Sequence, residues 1–490
     1  MDLVDHFSFR SCKEVSGFES GGEFPLYIFF ISPIYFFLRG KASFYALMFF
    51  QSIISASLIF PLFNIFKKFF AKNSTAIFLS SVLLFVPQIF AYEKTMMSEV
   101  LFVILSVWFL YFYLNSFGKK YLKNKILAYL FSILCALTRP FGFIFPMAVF
   151  VNELIVYKKK KFILILILTI LVSFGLLYFF AGEGLLRVGE KFSSLLVLSN
   201  YKYLLISIVN QINSLVIATF AIPVFVFYLF LKKRDAKPWN NIKWFFAVFV
   251  FLNFLMSAQH IYGYYLEGKE LNLLSRYVVL SNFFMIFSSI IFLSKYKKYK
   301  VKYGELIVFF VLIFCFFFLS ENGKRVQNVD LSAFYAVFAD ENRRTAFMYF
   351  FKYPLIISYL SLFYLFLKNK FIWVRNILIG FLLLISVFSI RLIAKVPWDT
   401  SLTDYIISHP GLSIDYIVTG EKKDLMHFWK LMAYDHYKIN SVRNFSETEL
   451  LVDLESLNGD VIVSFFDLPG FEILGTSIKN GTQYFLYKAK

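Results

Sequence analysis

The sequence YEKTMMSEVLF, residues 92–102, forms a short polar island between two apolar runs, 76–91 and 100–114. Apolar runs of this kind predict helices in a membrane, so Glu99 lies where a helix begins, at the membrane surface. An ionisable group beside a membrane span is costly to place and is therefore a candidate for function. A carboxylate at a helix N-terminus also offsets the helix dipole. The island alone leaves both interpretations of Glu99 open.

The composition indicates a membrane protein. Of the 490 residues, 59% are hydrophobic and 68 are Phe, and the mean hydropathy is +0.67. Soluble domains are about 45–50% apolar. The net charge of +19 does not indicate nucleic-acid binding, because most Lys and Arg residues stand in short runs between apolar segments, as in cytoplasmic loops. The widely spaced Cys12, Cys135 and Cys315 provide neither a disulfide framework nor a metal site.

The apolar runs predict twelve membrane crossings in an all-α fold. The predicted spans are 43–66, 76–91, 98–116, 125–137, 141–156, 162–180, 203–231, 243–258, 277–294, 305–320, 347–367 and 371–391. The sequence TRPFG at 138–142 divides 125–156 into a hairpin of two short passes, because Pro ends a helix and Gly permits a turn. The run at 24–38 is short and contains Pro25 and Pro33, which favours an interfacial or re-entrant element.

The distribution of charge predicts the orientation. Six connections on one side of the predicted bundle hold 23 Lys and Arg residues and one acid, Asp235. Five connections on the other side hold 11 basic and 10 acidic residues, although Arg39 and Lys41 also fall there. The first side is cytoplasmic by the positive-inside rule. We therefore expect the N-terminal segment, the island at 92–102, the break at 138–142, residues 275–277 and the C-terminal tail to face outward.

The composition changes near residue 394, and we predict two domains, 1–393 in the membrane and 394–490 outside it. The second is predicted to be a small α/β domain, with strands at 413–420, 459–466 and 483–488 and helices at 422–437 and 446–457. Ser446 followed by Glu449 is typical of a capping box. The domain contains no Gly-rich phosphate loop, metal triad or nucleophile elbow, which favours a lid or a partner-docking module over a second active site.

Several short motifs, in this order and on one predicted side, carry a resemblance to a known family. An Asp in the polar N-terminal segment precedes GGEFPLY at 21–27, SPIY at 32–35, Glu99 in TMMSEVLF, Arg139 in ALTRPFGF and Arg276 in LLSRYVVL. From about residue 5 to 290 the chain resembles GT-C glycosyltransferases, and within them the branch of protein O-mannosyltransferase-like enzymes. The resemblance implies a polytopic fold with an outward C-terminal domain.

The resemblance also implies transfer of a sugar from a polyprenyl-phosphate donor at the outer face of the cell membrane. Asp5 matches the catalytic Asp of the family, and a carboxylate there removes the proton of the acceptor hydroxyl as it attacks the anomeric carbon. His6 stands where the family has Glu, and the first span of the family has no counterpart here. Either the short acidic N-terminal segment is translocated by the first helix, or this chain lacks an N-terminal helix that its relatives have. Glu99 positions the acceptor, holds an arginine, or shares a divalent cation with Asp5. The sequence does not choose among these roles, and it identifies no cofactor beyond the divalent cation that the last of them requires.

The leaving group is a lipid phosphate, which arginine suits because its planar guanidinium pairs bidentately with phosphate oxygens. Arg139 and Arg276 are the candidates for substrate binding, together with Tyr277 and Lys94. Each arginine also has a purely structural alternative. Arg139 either binds the donor, or caps the hairpin break and extends to the membrane surface. Arg276 either binds the donor or anchors the outer end of its helix, with Tyr277 in the aromatic belt.

Other functional classes stay open. A polysaccharide polymerase or ligase also uses lipid-linked glycans, but the longest predicted external loop, 321–346, has Arg343 and Arg344 and no His. A transporter of lipid-linked glycans is disfavoured because the chain shows no internal repeat and few charges near mid-span. A non-catalytic membrane scaffold is a further alternative. The expected partners are the lipid-linked donor, membrane lipid and an unidentified glycan, lipid or protein acceptor, and nucleic acid is excluded.

Overall fold

The computed structural model describes residues 25–38, 41–70, 72–84, 99–116, 121–154, 167, 171, 201–218, 221–233, 237–266, 279–296, 299–322, 341–394, 414–419, 439–445, 461–464, 472–479 and 482–488. These residues are mostly helical. The helices are α1 Pro25–Phe37, α2 Lys41–Ser57, α3 Ile59–Lys67, α4 Asn73–Leu84, α5 Glu99–Asn115, α6 Tyr121–Thr138, α7 Ile144–Asn152, α8 Tyr201–Ala218, α9 Ile222–Lys232, α10 Lys237–Leu266, α11 Val279–Lys295, α12 Tyr303–Asn322, α13 Glu341–Leu367 and α14 Phe371–Ala394.

The predicted helical fold is confirmed, whereas the number of membrane crossings stays a prediction. Within the described residues, the stretch Tyr45–Lys67 is the one long and apolar enough to cross a membrane by length and composition. Several shorter apolar helices of 10–17 residues accompany it, among them Val100–Asn115, Ile242–Ala258 and Leu280–Lys295. The predicted span at 162–180 lies outside the described residues, except for single positions.

The chain forms two compact units. One contains Gln51–Phe179 and Leu185–Lys395, and the other contains Met1–Phe50, Phe180–Gly184 and Val396–Lys490. The helix contacts discussed below lie within the first unit, and the sheet lies within the second. The domain division predicted at 393/394 stays a prediction.

Helices α6 and α7 form the predicted hairpin. Lys125 Nζ, near the beginning of α6, lies 2.8 Å from Oε1 of Glu153, the residue directly after α7. Only an antiparallel arrangement of the two helices brings these positions together. A short 3-10 helix, Pro140–Phe143, makes the turn between them. The turn is tight at Gly142, where an added Cβ would overlap the carbonyl group of Cys135 in α6.

The predicted helix at 203–231 is interrupted, which the sequence did not indicate. Helix α8 ends at Ala218 and α9 begins at Ile222, with Ala221 between them in the left-handed conformation at φ 60°. The N–H of Ala221 donates to Val216 O at 2.9 Å, which closes the end of α8. Pro223 follows in the first turn of α9, where a missing N–H costs nothing.

The C-terminal residues form a five-stranded mixed sheet. Its strands are β1 Ile414–Thr419, β2 Ile439–Phe445, β3 Val461–Ser464, β4 Ile473–Lys479 and β5 Thr482–Lys488, in the spatial order β2-β1-β3-β5-β4. β1 is parallel to β2 and β3, and β5 is antiparallel to β3 and β4. The three predicted strands are confirmed, and β2 and β4 are additional.

The parallel pairs require long crossover connections, usually helical. The connections 420–438 and 446–460 have sufficient length. The predicted helices at 422–437 and 446–457 fall within them, outside the described residues.

Candidate functional site

The structure describes two of the six candidate site residues. Helix α5 begins at Glu99, and Arg139 directly follows α6. Asp5, Lys94, Arg276 and Tyr277 lie outside the described residues, so their predicted roles stay predictions. The arrangement of helices α5, α6, α7, α10 and α11 nevertheless determines which ends of these helices share a side of the bundle.

Helices α5 and α6 are antiparallel neighbours. At one end of the pair, Asn124 Nδ2 donates to Asn115 O at 3.1 Å. Further along, Ser106 Oγ lies 3.9 Å from Cys135 Sγ. Glu99 lies seven residues beyond Ser106 and Arg139 four beyond Cys135, which corresponds to helical rises of about 10 Å and about 6 Å in the same direction. The beginning of α5 and the end of α6 therefore lie at the same end of the bundle.

Contacts at the opposite end extend this arrangement to α7 and α10. The Asn152 side chain, at the end of α7, donates to Tyr113 Oη at 2.6 Å, near the end of α5. The Tyr113 ring lies 4.8 Å from the ring of Phe245, in the first third of α10. The end of α5, the end of α7 and the beginning of α10 thus lie together, opposite Glu99 and Arg139.

Helix α11 runs in the direction that places its beginning at the Glu99 end. Lys243, near the beginning of α10, has its Nζ 5.6 Å from the ring centre of Tyr296, directly after α11. Nearer the end that carries Glu99, the ring of Phe145 in α7 lies 4.8 Å from the ring of Phe249 in α10 and 6.5 Å from the ring of Phe284 in α11. Helix α11 therefore begins, at Val279, at the Glu99 end of the bundle. Arg276 and Tyr277 precede it in the sequence, and their predicted roles stay predictions.

The backbone around Arg139 is held by the hairpin turn. Its N–H donates to Cys135 O at 3.2 Å, and its carbonyl accepts from Gly142 N at 2.8 Å. The side chain is half-buried. A cation at a helix C-terminus also interacts favourably with the helix dipole. This position suits both a phosphate-binding arginine and a structural cap.

A buried polar cluster lies near the beginning of α11 and was not predicted from the sequence. The Asn253 side chain of α10 donates to Ser281 Oγ at 2.6 Å. Asn282 is also buried, and no described residue provides a hydrogen-bond partner for its Oδ1. Polar residues inside predicted spans are functional candidates, so the pattern Ser281-Asn282 within an apolar run was a usable signal.

The opposite end of the bundle carries a second polar cluster around Glu305. Glu305 Oε1 lies 2.8 Å from Lys232 Nζ and accepts a hydrogen bond from Tyr299 Oη at 2.7 Å. Its Oε2 accepts from Lys302 N at 2.8 Å. Burial and the hydrogen bond to Glu305 raise the pKa of Tyr299. Every partner here stabilises the charged form of the Glu305 carboxylate, which makes it a weaker base. Glu305 is therefore not a candidate general base, and the cluster serves to join the loops.

No metal site is visible in the described part of the chain, which contains no group of three or more His, Cys, Asp or Glu side chains placed to hold an ion. The divalent cation suggested between Asp5 and Glu99 involves a residue outside that part and stays a prediction. No protein-family model, no curated protein and no solved structure matches this chain.

Proposed function

We propose that this chain is a multi-pass membrane glycosyltransferase of the GT-C type, which transfers a sugar from a polyprenyl-phosphate donor to an acceptor at the outer face of the membrane. The observation that carries the proposal is the common position of Glu99 and Arg139 at one end of the antiparallel pair α5 and α6. A carboxylate and an arginine at one membrane surface are the groups that attack on a lipid-phosphate sugar requires.

The lysine-rich connections support the proposed orientation because they contact one another at the other end of the bundle. Lys68 Nζ donates to Leu114 O at 3.4 Å, which joins the connection after α3 to the end of α5. The ion pair Lys232–Glu305 joins the end of α9 to the beginning of α12.

The same end holds the turn between α13 and α14. Val301 N donates to Asn369 Oδ1 at 3.2 Å, which ties this turn to the segment before α12. An end of the bundle where basic connections meet is the expected cytoplasmic end. The end that carries Glu99 and Arg139 is then the outer one.

In the proposed reaction, a bond forms between the acceptor oxygen and the anomeric carbon while the bond from that carbon to the phosphate oxygen breaks. The acceptor proton passes to a carboxylate, for which Asp5 is the candidate. Arg139 and Arg276 neutralise the charge that develops on the departing lipid phosphate. Glu99 positions the acceptor or orients one of the arginines.

Transfer of radiolabelled sugar tests the proposal. Membranes that contain the chain are incubated with a panel of polyprenyl-phosphate sugars, and wild type is compared with Asp5→Asn at equal membrane content. Asp2→Asn is the matched control, because it removes the same charge from the same segment. We expect transfer that Asp5→Asn reduces by 100-fold or more, the usual range for a general base, and that Asp2→Asn leaves unchanged. Absence of transfer from every donor would refute the proposal.

A further inference from the structure

A second arginine, Arg375, is held between two helices at the lysine-rich end. Its guanidinium Nη1 donates to Ser294 Oγ, in the last turn of α11, at 3.1 Å. Its Nε and Nη2 donate to Asn376 Oδ1 at 3.3 Å and 3.1 Å. These hydrogen bonds fix the guanidinium in one orientation, with the side chain half-buried.

Within the part of the chain that the structure describes, no acidic side chain neutralises the charge of Arg375. Its hydrogen-bond partners are neutral, and no carboxylate in the described residues pairs with it. A half-buried charge without a counter-ion is costly unless an anion from outside approaches it. Glu305, the acid on the neighbouring segment, is fully occupied by Lys232 and Tyr299.

Exposed lysines lie close in sequence to Arg375 and to its hydrogen-bond partner Ser294. Lys295 directly follows Ser294, and its Nζ lies 5.0 Å from the ring centre of the next residue, Tyr296. Lys368 and Lys370 are exposed in the turn that precedes α14. We refer to Arg375, Lys295, Lys368 and Lys370 with their apolar neighbours on α14 as the Arg375 surface. An anion that reaches Arg375 therefore meets further positive charge.

The apolar neighbours distinguish a lipid from a soluble anion. Trp373 is 62% exposed, and Ile372 and Ile377 are 38% and 37% exposed. Trp373, Asn376 and Ile377 stand three and four residues apart on α14, so they share one helix face, and Asn376 is the residue that the guanidinium contacts. An exposed Trp beside basic side chains is typical of a membrane–water interface.

We propose that the Arg375 surface binds the phosphate group of an acidic phospholipid, whose acyl chains lie against Trp373 and Ile377. Three of the five N–H groups of the guanidinium are used by Asn376 and Ser294, and Nη1 and Nη2 each retain one N–H for a phosphate oxygen. The lysines favour a lipid with net negative charge over a zwitterionic one. This inference requires the membrane location of the bundle and is independent of sugar transfer.

Quenching of Trp373 fluorescence tests the inference. The full chain is reconstituted in nanodiscs that contain either brominated phosphatidylglycerol or brominated phosphatidylcholine at equal mole fraction. The Trp373 signal is the difference between wild type and Trp373→Phe. We expect stronger quenching by the acidic lipid, and a loss of at least about fivefold in its apparent affinity in Arg375→Gln.

Two further variants keep the result interpretable if Arg375→Gln fails to fold. Lys370→Gln, at an exposed position, should weaken the preference for the acidic lipid several-fold. Lys72→Gln removes an exposed cation from another connection and should leave the preference unchanged. Equal quenching by the two lipids would overturn the inference. Competition by 10 mM inorganic phosphate as effective as that of the lipid would also overturn it and would identify a soluble-anion site.

Discussion

The buried ion pair of the α6–α7 hairpin permits a quantitative prediction. Lys125 Nζ and Glu153 Oε1 are 2.8 Å apart, and their side chains are 8% and 2% exposed. Removal of one member leaves the other charge buried, which costs about 3–5 kcal/mol. We therefore expect Lys125→Met and Glu153→Leu each to reduce the free energy of unfolding by this amount. The double variant should lose far less, because apolar residues of similar volume replace a buried pair at little or no cost.

The measurement is a double-mutant cycle in mixed micelles, in which unfolding is followed by circular dichroism as the fraction of dodecyl sulfate is raised. The predicted interaction energy between Lys125 and Glu153 is several kcal/mol, since each single variant removes the ion-pair partner of the other side chain. A matched variant, Lys123→Met, removes a cation two residues away and should change stability by less than about 0.5 kcal/mol. Additive effects of the two single variants, or losses below 1 kcal/mol, would refute the pairing and with it the hairpin.

Three further predictions concern the hairpin turn, the proposed site and the turn before α14. Gly142→Ala should reduce the free energy of unfolding by about 3 kcal/mol or more, because the added Cβ overlaps the Cys135 carbonyl. Gly380→Ala, whose Cβ meets no atom within 4 Å, should instead stabilise α14 by up to about 1 kcal/mol. Thermal unfolding in detergent compares the two variants. Arg139→Lys should raise the KM for a polyprenyl-phosphate sugar by about tenfold through loss of a bidentate contact, and an unchanged KM in steady-state transfer assays would favour the structural role. Asn369→Ala should reduce the free energy of unfolding by about 2 kcal/mol, because the backbone of Asn369 is left-handed at φ 53° and its Oδ1 accepts a hydrogen bond from Val301 N. Asn369→Gly should reduce it by less, because glycine adopts this conformation freely. The same unfolding assay compares the two variants.

The helices were largely predictable because the apolar runs are long and the breaks between them carry Pro, Gly or several lysines. The hairpin at 138–142 is an example, since Pro140 and Gly142 mark it in the sequence. The interruption between α8 and α9 was not predictable, because it places Ala221 rather than Gly in the left-handed conformation. Surrounding contacts, such as the hydrogen bond from Ser289 Oγ to Pro223 O at 3.2 Å, accompany this break.

Two strands of the C-terminal sheet were missed for a common reason. β2 and β4 lie at the two edges of the sheet, where strands carry polar residues and are not selected for continuous hydrophobicity. The sequences INSVRNF and ILGTSIK accordingly contain Asn, Ser, Gly, Arg or Lys instead of an apolar run. The three predicted strands include both central parallel strands, β1 and β3, whose sequences are more apolar.

The candidate site was predictable in part. Charge counting and the hairpin place Glu99 and Arg139 on one predicted side, and the antiparallel packing of α5 and α6 agrees with that placement. The polar residues Ser281 and Asn282 are visible in the sequence, but the hydrogen bond from Asn253 to Ser281 was not predictable, because it depends on the rotation of two helices about their axes. The apolar spans surround these polar residues with little periodicity from which a rotation could be inferred.

We propose that sugar transfer takes place at the end of the bundle that carries Glu99. The most direct test is the rate of transfer from a polyprenyl-phosphate sugar by Glu99→Gln, with Glu93→Gln as the control from the same polar island. Both variants remove one negative charge, so they alter the surface potential equally. We predict a loss of about 100-fold in Glu99→Gln, because misplacement of a substrate or of a catalytic group costs about this much, and a wild-type rate in Glu93→Gln. Equal rates in both variants, at equal membrane content, would contradict it.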